Sequence, residues 1–160
     1  MGERDIKRGE TGSMKNRKLS QQQIQELIDL AFEAREYAYA PYSNFFVGAA
    51  LLAKSGRLYT GCNIESCSFT PTICAERVAV GKAVSEGERE FTAIAIVSAP
   101  QGGGGGENEA APCGVCRQLL FEFGADTLVI GAKSIEDYYV MTISELLPKG
   151  FGPNQLTEGE

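Results

Sequence analysis

The clearest hydrophobic pattern in the chain is an amphipathic helix that begins at a capping box. Ser20 and Gln23 have the S-x-x-Q spacing that caps a helix N-terminus. Apolar residues then recur at the spacing of one helix face, at positions 24, 27, 28, 31 and 32. We expect this helix to stop before Pro41, because the residue before a proline disfavours helical geometry.

The rest of the chain alternates between apolar strands and shorter helices. Strands are predicted over residues 47–53, 57–64, 91–98, 127–130 and 138–142, and helices over residues 74–86, 113–123 and 143–147. Ser55-Gly56 predicts a hairpin turn between the first two strands, and Gly124 predicts a helix end. Residues 101–111, with five consecutive glycines, are predicted to form a loop. This order predicts an α/β fold with a mixed sheet and helices on both faces.

The length of the chain and its polar ends indicate a single folded domain. The 160 residues are 43% hydrophobic, which is enough for one buried core. Residues 1–18 are polar and aperiodic, and we interpret them as a disordered tail or as the remnant of an appended tag ahead of Met14. The folded domain is predicted to span residues 19–152, and residues 153–160 to form a C-terminal tail.

The charge balance and the hydropathy exclude two classes of partner. The chain carries 21 acidic and 15 basic residues, a net charge of −6, and has no basic cluster beyond residue 18, so a nucleic-acid partner is not expected. No apolar run approaches the roughly 20 residues that a membrane span needs, and no secretory signal pattern is present. We therefore expect a soluble cytoplasmic protein.

The cysteine and histidine counts are the most informative part of the composition for the chemistry of the protein. The chain has five cysteines and no histidine, and the lack of histidine excludes any mechanism with an imidazole base or ligand. Cys74 begins one predicted helix, and Cys113 and Cys116 begin another directly after Pro112. The positive end of a helix dipole favours thiolate, and three thiolates suit Zn²⁺ while leaving a fourth position for water. Glu76 lies two residues after Cys74, on a different helix face, where it suits proton transfer rather than ligation.

These residues lie in longer motifs that resemble those of a known family. Residues 72–77 (TICAER) and 112–118 (PCGVCRQ) are similar to the two-part zinc signature of cytidine deaminases, in the variant with three cysteines and a non-ligating glutamate. The resemblance extends to residues 38–45 (AYAPYSNF), 47–51 (VGAAL), 61–65 (GCNIE) and 146–148 (LLP). It covers roughly residues 20–152 and indicates the small, all-thiolate branch of the family.

The resemblance implies a fold, a reaction and a set of roles. The fold is a three-layer α/β/α sandwich around a five-stranded mixed sheet, and the assembly is a homotetramer. The reaction is hydrolytic deamination of cytidine and deoxycytidine to uridine and deoxyuridine with release of ammonia, a hydrolase step of pyrimidine salvage. It uses zinc-activated water and a glutamate proton shuttle.

The roles are carried over position by position. Cys74, Cys113 and Cys116 bind zinc and Glu76 transfers protons. The residues implied to contact the substrate are Phe45, Asn63, Glu65, the backbone of Ala75, and Phe151 from a neighbouring subunit. The pair at 63 and 65 is also i, i+2 on a predicted strand and therefore shares a face. Arg77, at i+3 from Cys74, is predicted to compensate the negative charge of a three-thiolate centre.

Some positions depart from the family pattern and keep alternatives open. Residues 66–71 (SCSFTP) carry Ser-Cys where Asn-Ala is usual and Phe where Tyr is common. Two alternatives therefore remain: a deaminase of a modified or antibiotic aminonucleoside, and a zinc-stabilised nucleoside-binding module without turnover. Cys62 and Cys67 are interpreted as packing residues, and Arg117 and Gln118 as positions on a helix surface.

Overall fold

The structure, a computed structural model, describes residues 19–99 and 109–156. The helices are α1 Gln21–Arg35, α2 Ala75–Ser85, α3 Gly114–Phe123 and α4 Ile143–Leu146. The strands are β1 Phe46–Ala53, β2 Leu58–Cys62, β3 Phe91–Ala99, β4 Leu128–Ala132 and β5 Tyr138–Thr142. Every helix and strand predicted from the hydrophobic pattern is present, with end points shifted by a few residues. The predicted tail at 1–18 and most of the glycine loop at 101–111 lie outside the described residues.

The five strands form one mixed sheet in the order β2-β1-β3-β4-β5. Strand β1 runs antiparallel to β2 and β3, β3 runs parallel to β4, and β4 runs antiparallel to β5. Helix α1 packs on one face, where Leu27, Ile28 and Ala31 meet the alanine-rich inner strands. Helices α2, α3 and α4 cover the other face. The predicted three-layer α/β/α sandwich is confirmed.

Two glycines allow the helices to approach the same end of the sheet from opposite faces. A Cβ atom on Gly48 of β1 would lie 1.9 Å from the carbonyl oxygen of Ala31 in α1. A Cβ atom on Gly61 of β2 would lie 2.3 Å from the carbonyl oxygen of Ala75 in α2. Both contacts are with backbone, so a side chain at either position would force the helix away. Gly61 thereby fixes the height of the α2 N-terminus above the sheet.

Capping boxes and glycine turns hold the ends of the elements, and the sequence analysis predicts all of them except the capping box that starts α4. The Ser20 hydroxyl accepts the Gln23 N–H at 3.1 Å, and the Gln23 side chain accepts the Ser20 N–H at 2.9 Å. A second capping box at Thr142 and Glu145 starts α4. Gly56 and Gly124 have positive φ at the hairpin turn and at the end of α3. Helix α1 ends at Arg35, well short of Pro41. Past residue 152 the chain makes a single 3-10 turn, Pro153–Gln155.

Candidate metal centre and active site

Three cysteine thiols meet where the N-termini of α2 and α3 come together. Cys74 and Cys113 are the N-cap residues of these helices, and neither side chain makes a capping hydrogen bond. Cys116 lies in the first turn of α3 and is fully buried. Its Sγ lies 3.5 Å from that of Cys113, which lies 3.7 Å from that of Cys74. The sequence places the three thiols at the two helix starts, and the fold brings them together.

The spacing of the sulfurs suits a tetrahedral zinc ion. Thiolates at the usual Zn–S distance of about 2.3 Å lie about 3.8 Å apart around such an ion. The three Sγ atoms lie within 4.8 Å of one another, and among the described residues this group of potential ligands includes no carboxylate and neither Cys62 nor Cys67. Three thiolate ligands with one position left for water is the arrangement typical of a catalytic zinc site. The residues present therefore fit Zn²⁺.

The surroundings of the cluster favour the thiolate form that binds a cation. The hydrogen bond from Cys116 lowers the pKa of the Cys74 thiol to about 5, assisted by Cys113 and by the positive charge of Arg77. As the donor in the same contact, Cys116 has a raised pKa. The first thiolate is thus stabilised on Cys74, at the positive end of α2.

Glu76 is a buried carboxyl group beside this cluster. It is the second residue of α2 and only 4% of it is exposed. Burial raises its pKa to about 7, and the neighbouring Cys74 acts in the same direction. A carboxyl group in this state can both accept and release a proton near neutral pH, which suits general acid–base chemistry.

Arg77 lies on the side of α2 next to the cluster, as its i+3 spacing from Cys74 predicts. One guanidinium nitrogen donates to the carbonyl oxygen of Thr72 at 2.9 Å, which ties α2 to the loop before it. The positive charge is among the causes that lower the pKa of Cys74. The position is consistent with the charge compensation proposed for this arginine.

Gln118 is exposed, as the helix-surface interpretation predicts, and Arg117 is half-buried, but both side chains also bind backbone outside α3. Arg117 donates through Nε to the carbonyl oxygen of Pro112 at 2.9 Å and through Nη1 to that of Leu146 at 2.8 Å. Gln118 donates through Nε2 to the carbonyl oxygen of Phe151 at 2.8 Å. The two side chains fasten α3 to the loop before Cys113 and to the C-terminal segment. No local pattern marks them, because their acceptors are backbone carbonyls, two of them distant in the chain.

The predicted sugar-contact residues gather between α1, β1 and β2. Glu65 and Asn63 flank Ile64, and both pair with the backbone of Tyr39, so their side chains lie on the same side of this extended segment. The amide of Asn63 accepts the Val47 N–H and donates to the carbonyl oxygen of Phe45, each at 2.8 Å. Of the adjacent phenylalanines, Phe46 faces the core and Phe45 is 54% exposed. The two rings point in opposite directions because successive side chains of an extended backbone alternate between its two sides.

The two remaining predicted contact residues differ in exposure. Ala75 is fully buried at the start of α2, next to the cluster. Phe151 is 57% exposed, on a segment whose flanking glycines pack against the ring of Phe121. An exposed aromatic side chain on an anchored backbone suits a contact with another chain.

Comparison with known proteins agrees with this geometry. The family model for the cytidine and deoxycytidylate deaminase zinc-binding region matches residues 21–132. The cytidine deaminase of Sporosarcina psychrophila is 42% identical over 135 residues, which cover 84% of this chain and 95% of that protein. The crystal structure of the cytidine deaminase from Burkholderia pseudomallei superposes with a TM-score of 0.71 at 42% identity, over 79% of this chain and 97% of that one.

A third relative is named for a different substrate. The blasticidin-S deaminase of Bacillus cereus is 32% identical over 146 residues, which cover 88% of this chain and 100% of that protein. The fold and the thiol cluster together define a zinc-dependent deaminase of the α/β/α type. The chain belongs to the cytidine and deoxycytidylate deaminase family.

Proposed function

We propose that the protein catalyses the hydrolytic deamination of cytidine and deoxycytidine to uridine and deoxyuridine, with release of ammonia. The observation that carries this proposal is the buried Glu76 carboxyl beside a three-thiol cluster at two helix N-termini. The relatives that are 42% and 45% identical to this chain are cytidine deaminases, which supports cytidine as the substrate.

The roles proposed for the chain's own residues follow from where they lie. Cys74, Cys113 and Cys116 would hold the zinc ion, which supplies Lewis acidity and activates water when bound. Glu76 removes a proton from the attacking water and delivers it to N3 of the cytosine ring. The water oxygen bonds to C4, and the same carboxyl then takes the remaining proton of that new hydroxyl and transfers it to the 4-amino group. The C4–N bond breaks, the C4 oxygen becomes the carbonyl of uridine, and ammonia leaves.

The substrate is proposed to lie between the cluster and the exposed aromatic residues. The backbone of Ala75 contacts the pyrimidine, Asn63 and Glu65 bind the sugar hydroxyls, and Phe45 packs against the nucleoside. Phe151 reaches the base from another subunit of a homotetramer.

We also propose that the protein works in the cytoplasm, in pyrimidine salvage. All five cysteines are free, as expected in a reducing compartment. Within residues 19–99 and 109–156, no helix has the length and apolar character that crossing a membrane requires.

A substrate panel with ammonia release as the readout tests this function. We expect the zinc-loaded protein to deaminate cytidine and deoxycytidine, and to leave adenosine and free cytosine unchanged. Blasticidin S belongs in the panel because of the 32% identical relative that acts on it. Turnover of blasticidin S without turnover of cytidine would transfer the assignment to that substrate. Nucleoside binding without any ammonia would indicate a binding module.

A further inference from the structure

The turn between α1 and β1 holds the carboxylate of Glu65. The backbone N–H groups of Tyr42 and Ser43 donate to Glu65 Oε2 at 2.9 and 3.2 Å. The Ser43 hydroxyl donates to Oε1 of the same carboxylate. The turn is closed by a hydrogen bond from the N–H of Asn44, which has a positive φ, to the carbonyl oxygen of Ala40.

The number of hydrogen bonds that Glu65 already accepts shows how many acceptor positions are left for a ligand. An ionised carboxylate offers about four acceptor positions. The turn fills three of them, so one position on Oε1 is left, with its direction set by the Ser43 hydroxyl. The hydrogen bond from Ser43 lowers the pKa of Glu65, so the group stays ionised and accepts without donating. The open position therefore requires a hydrogen-bond donor on the ligand, and a sugar hydroxyl is such a donor.

The same serine hydroxyl connects Glu65 to the other residues proposed to contact the nucleoside. It accepts the N–H of Phe45 at 3.1 Å while it donates to Glu65. The carbonyl oxygen of Phe45 in turn accepts from Asn63. Glu65, Phe45 and Asn63 therefore belong to one network, and Ser43 joins the carboxylate to the aromatic residue.

We infer that Ser43 is a positioning residue that aims Glu65 at a 2′- or 3′-hydroxyl of the sugar and so makes the site selective for nucleosides that carry a hydroxyl there. The inference rests on the proposed function and deepens it, because it names the group that fixes the sugar contact. The Ser43 hydroxyl donates to Glu65 and accepts from Phe45, so the serine acts through them.

The test pairs a substitution with substrates that lack the contact. We expect Ser43→Ala to lower kcat/KM for cytidine about tenfold, mainly through KM, because a hydrogen bond to a charged group is lost. For 2′,3′-dideoxycytidine, which has no sugar hydroxyl at these positions, wild type and variant should agree within about twofold. Ser43→Thr keeps the hydroxyl and should recover most of the cytidine activity.

Ser55→Ala is the matched control. Ser55 also donates to a glutamate, Glu88, at 2.6 Å and accepts a backbone N–H two residues on, but it lies in the hairpin turn at the far end of β1. This variant should leave the ratio of the two substrates unchanged. Thermal unfolding of each variant records any loss of stability separately.

Calorimetric binding of uridine and 2′,3′-dideoxyuridine tests the role of Ser43 separately from the proposed deaminase function, because binding needs no turnover. A protein that binds uridine without deaminating cytidine would refute the proposed function, and the Ser43→Ala effect on uridine would still test the inference. Equal losses on both nucleosides, no loss on either, or no uridine binding by the wild type would each overturn the role of Ser43.

Discussion

At the scale of single residues, the site depends on one carboxyl group that lies beside the metal ligands without joining them. Glu76 is buried next to Cys74 and Cys116, yet it is outside the group of sulfurs that can reach a common ion. Its loss should therefore affect proton transfer and leave metal binding intact.

We predict that Glu76→Gln lowers kcat by ~10⁴-fold or more. A general acid–base group typically contributes ~10²–10⁴-fold, and Glu76 takes part in more than one proton transfer. The zinc content should stay near one per chain, because the three cysteines are unchanged. Ammonia release and metal analysis on the same preparation give both numbers. Glu33→Gln, on the exposed face of α1, is the control. Near-normal turnover in Glu76→Gln would assign the proton chemistry to another group.

Arg77 gives a second prediction at this scale. Zinc with three thiolates carries a formal charge of −1, and Arg77 is a cation beside the cluster. Arg77→Gln should keep zinc but lower kcat by ~10–100-fold, as losses of groups that support metal ligands do. Arg57→Gln removes an exposed arginine paired with Glu86 and should change little. Equal activity in the two variants would show that the helix termini alone compensate the charge.

The sequence predicts the chemistry of these residues better than their contacts. Cys74, Cys113, Cys116 and Glu76 could be found because their spacing relative to helix starts carries the signal. Asn63 could be placed near the site. Its hydrogen bonds to Val47 and Phe45 could not be predicted, since those partners are backbone groups in β1 and directly before it.

At the scale of elements, the packing of α2 on β2 sets the position of the site. Helix α2 carries Cys74 at its N-cap and Glu76 in its first turn, and it lies against the sheet over Gly61. The hydrophobic pattern predicts the helix and the strand, and it predicts that helices cover both faces of the sheet. The strand order and this close approach were not predicted, because they depend on register between segments distant in sequence.

Two glycines of this pair of elements give a matched test. Gly61→Ala should destabilise the protein by about 1–3 kcal/mol, because the new Cβ meets α2 backbone, and should lower zinc content as Cys74 moves. Gly81→Ala, in α2 with nothing within 4 Å of the added Cβ, should stabilise it by about 0.5–1 kcal/mol. Thermal unfolding at equal protein concentration measures both. Equal shifts in the two variants would contradict the close approach at Gly61.

At the scale of the whole molecule, many aromatic side chains are left in solvent. Those with more than half of their surface exposed are Tyr37, Tyr39, Tyr42, Phe45, Phe69 and Phe151. Large exposed apolar areas are typical of protein–protein contacts. This exposure supports the proposed assembly, in which Phe151 of one chain covers the site of another.

We predict a particle mass of about four times the 17.2 kDa of the chain, measured by light scattering. Phe151→Ala should raise KM for cytidine while the mass stays the same, because the substrate loses one stacking partner and the rest of the interface remains. Leu156→Ala is the control, as it removes an exposed apolar residue from the same segment. A fully active monomer would refute the shared site.

The three sulfurs that can hold the metal have a further consequence, for the redox state of the protein. Cys113 and Cys116 are one helical turn apart with their sulfurs 3.5 Å from each other, and Cys74 is nearly as close. Thiols this near can be joined by mild oxidants, whereas a thiolate bound to zinc has its lone pair engaged. Removal of the metal in air should therefore consume free thiols and become irreversible without a reductant. The ion would protect its own ligands from oxidation, and in a reducing compartment newly made chains would share that protection before they bind the metal.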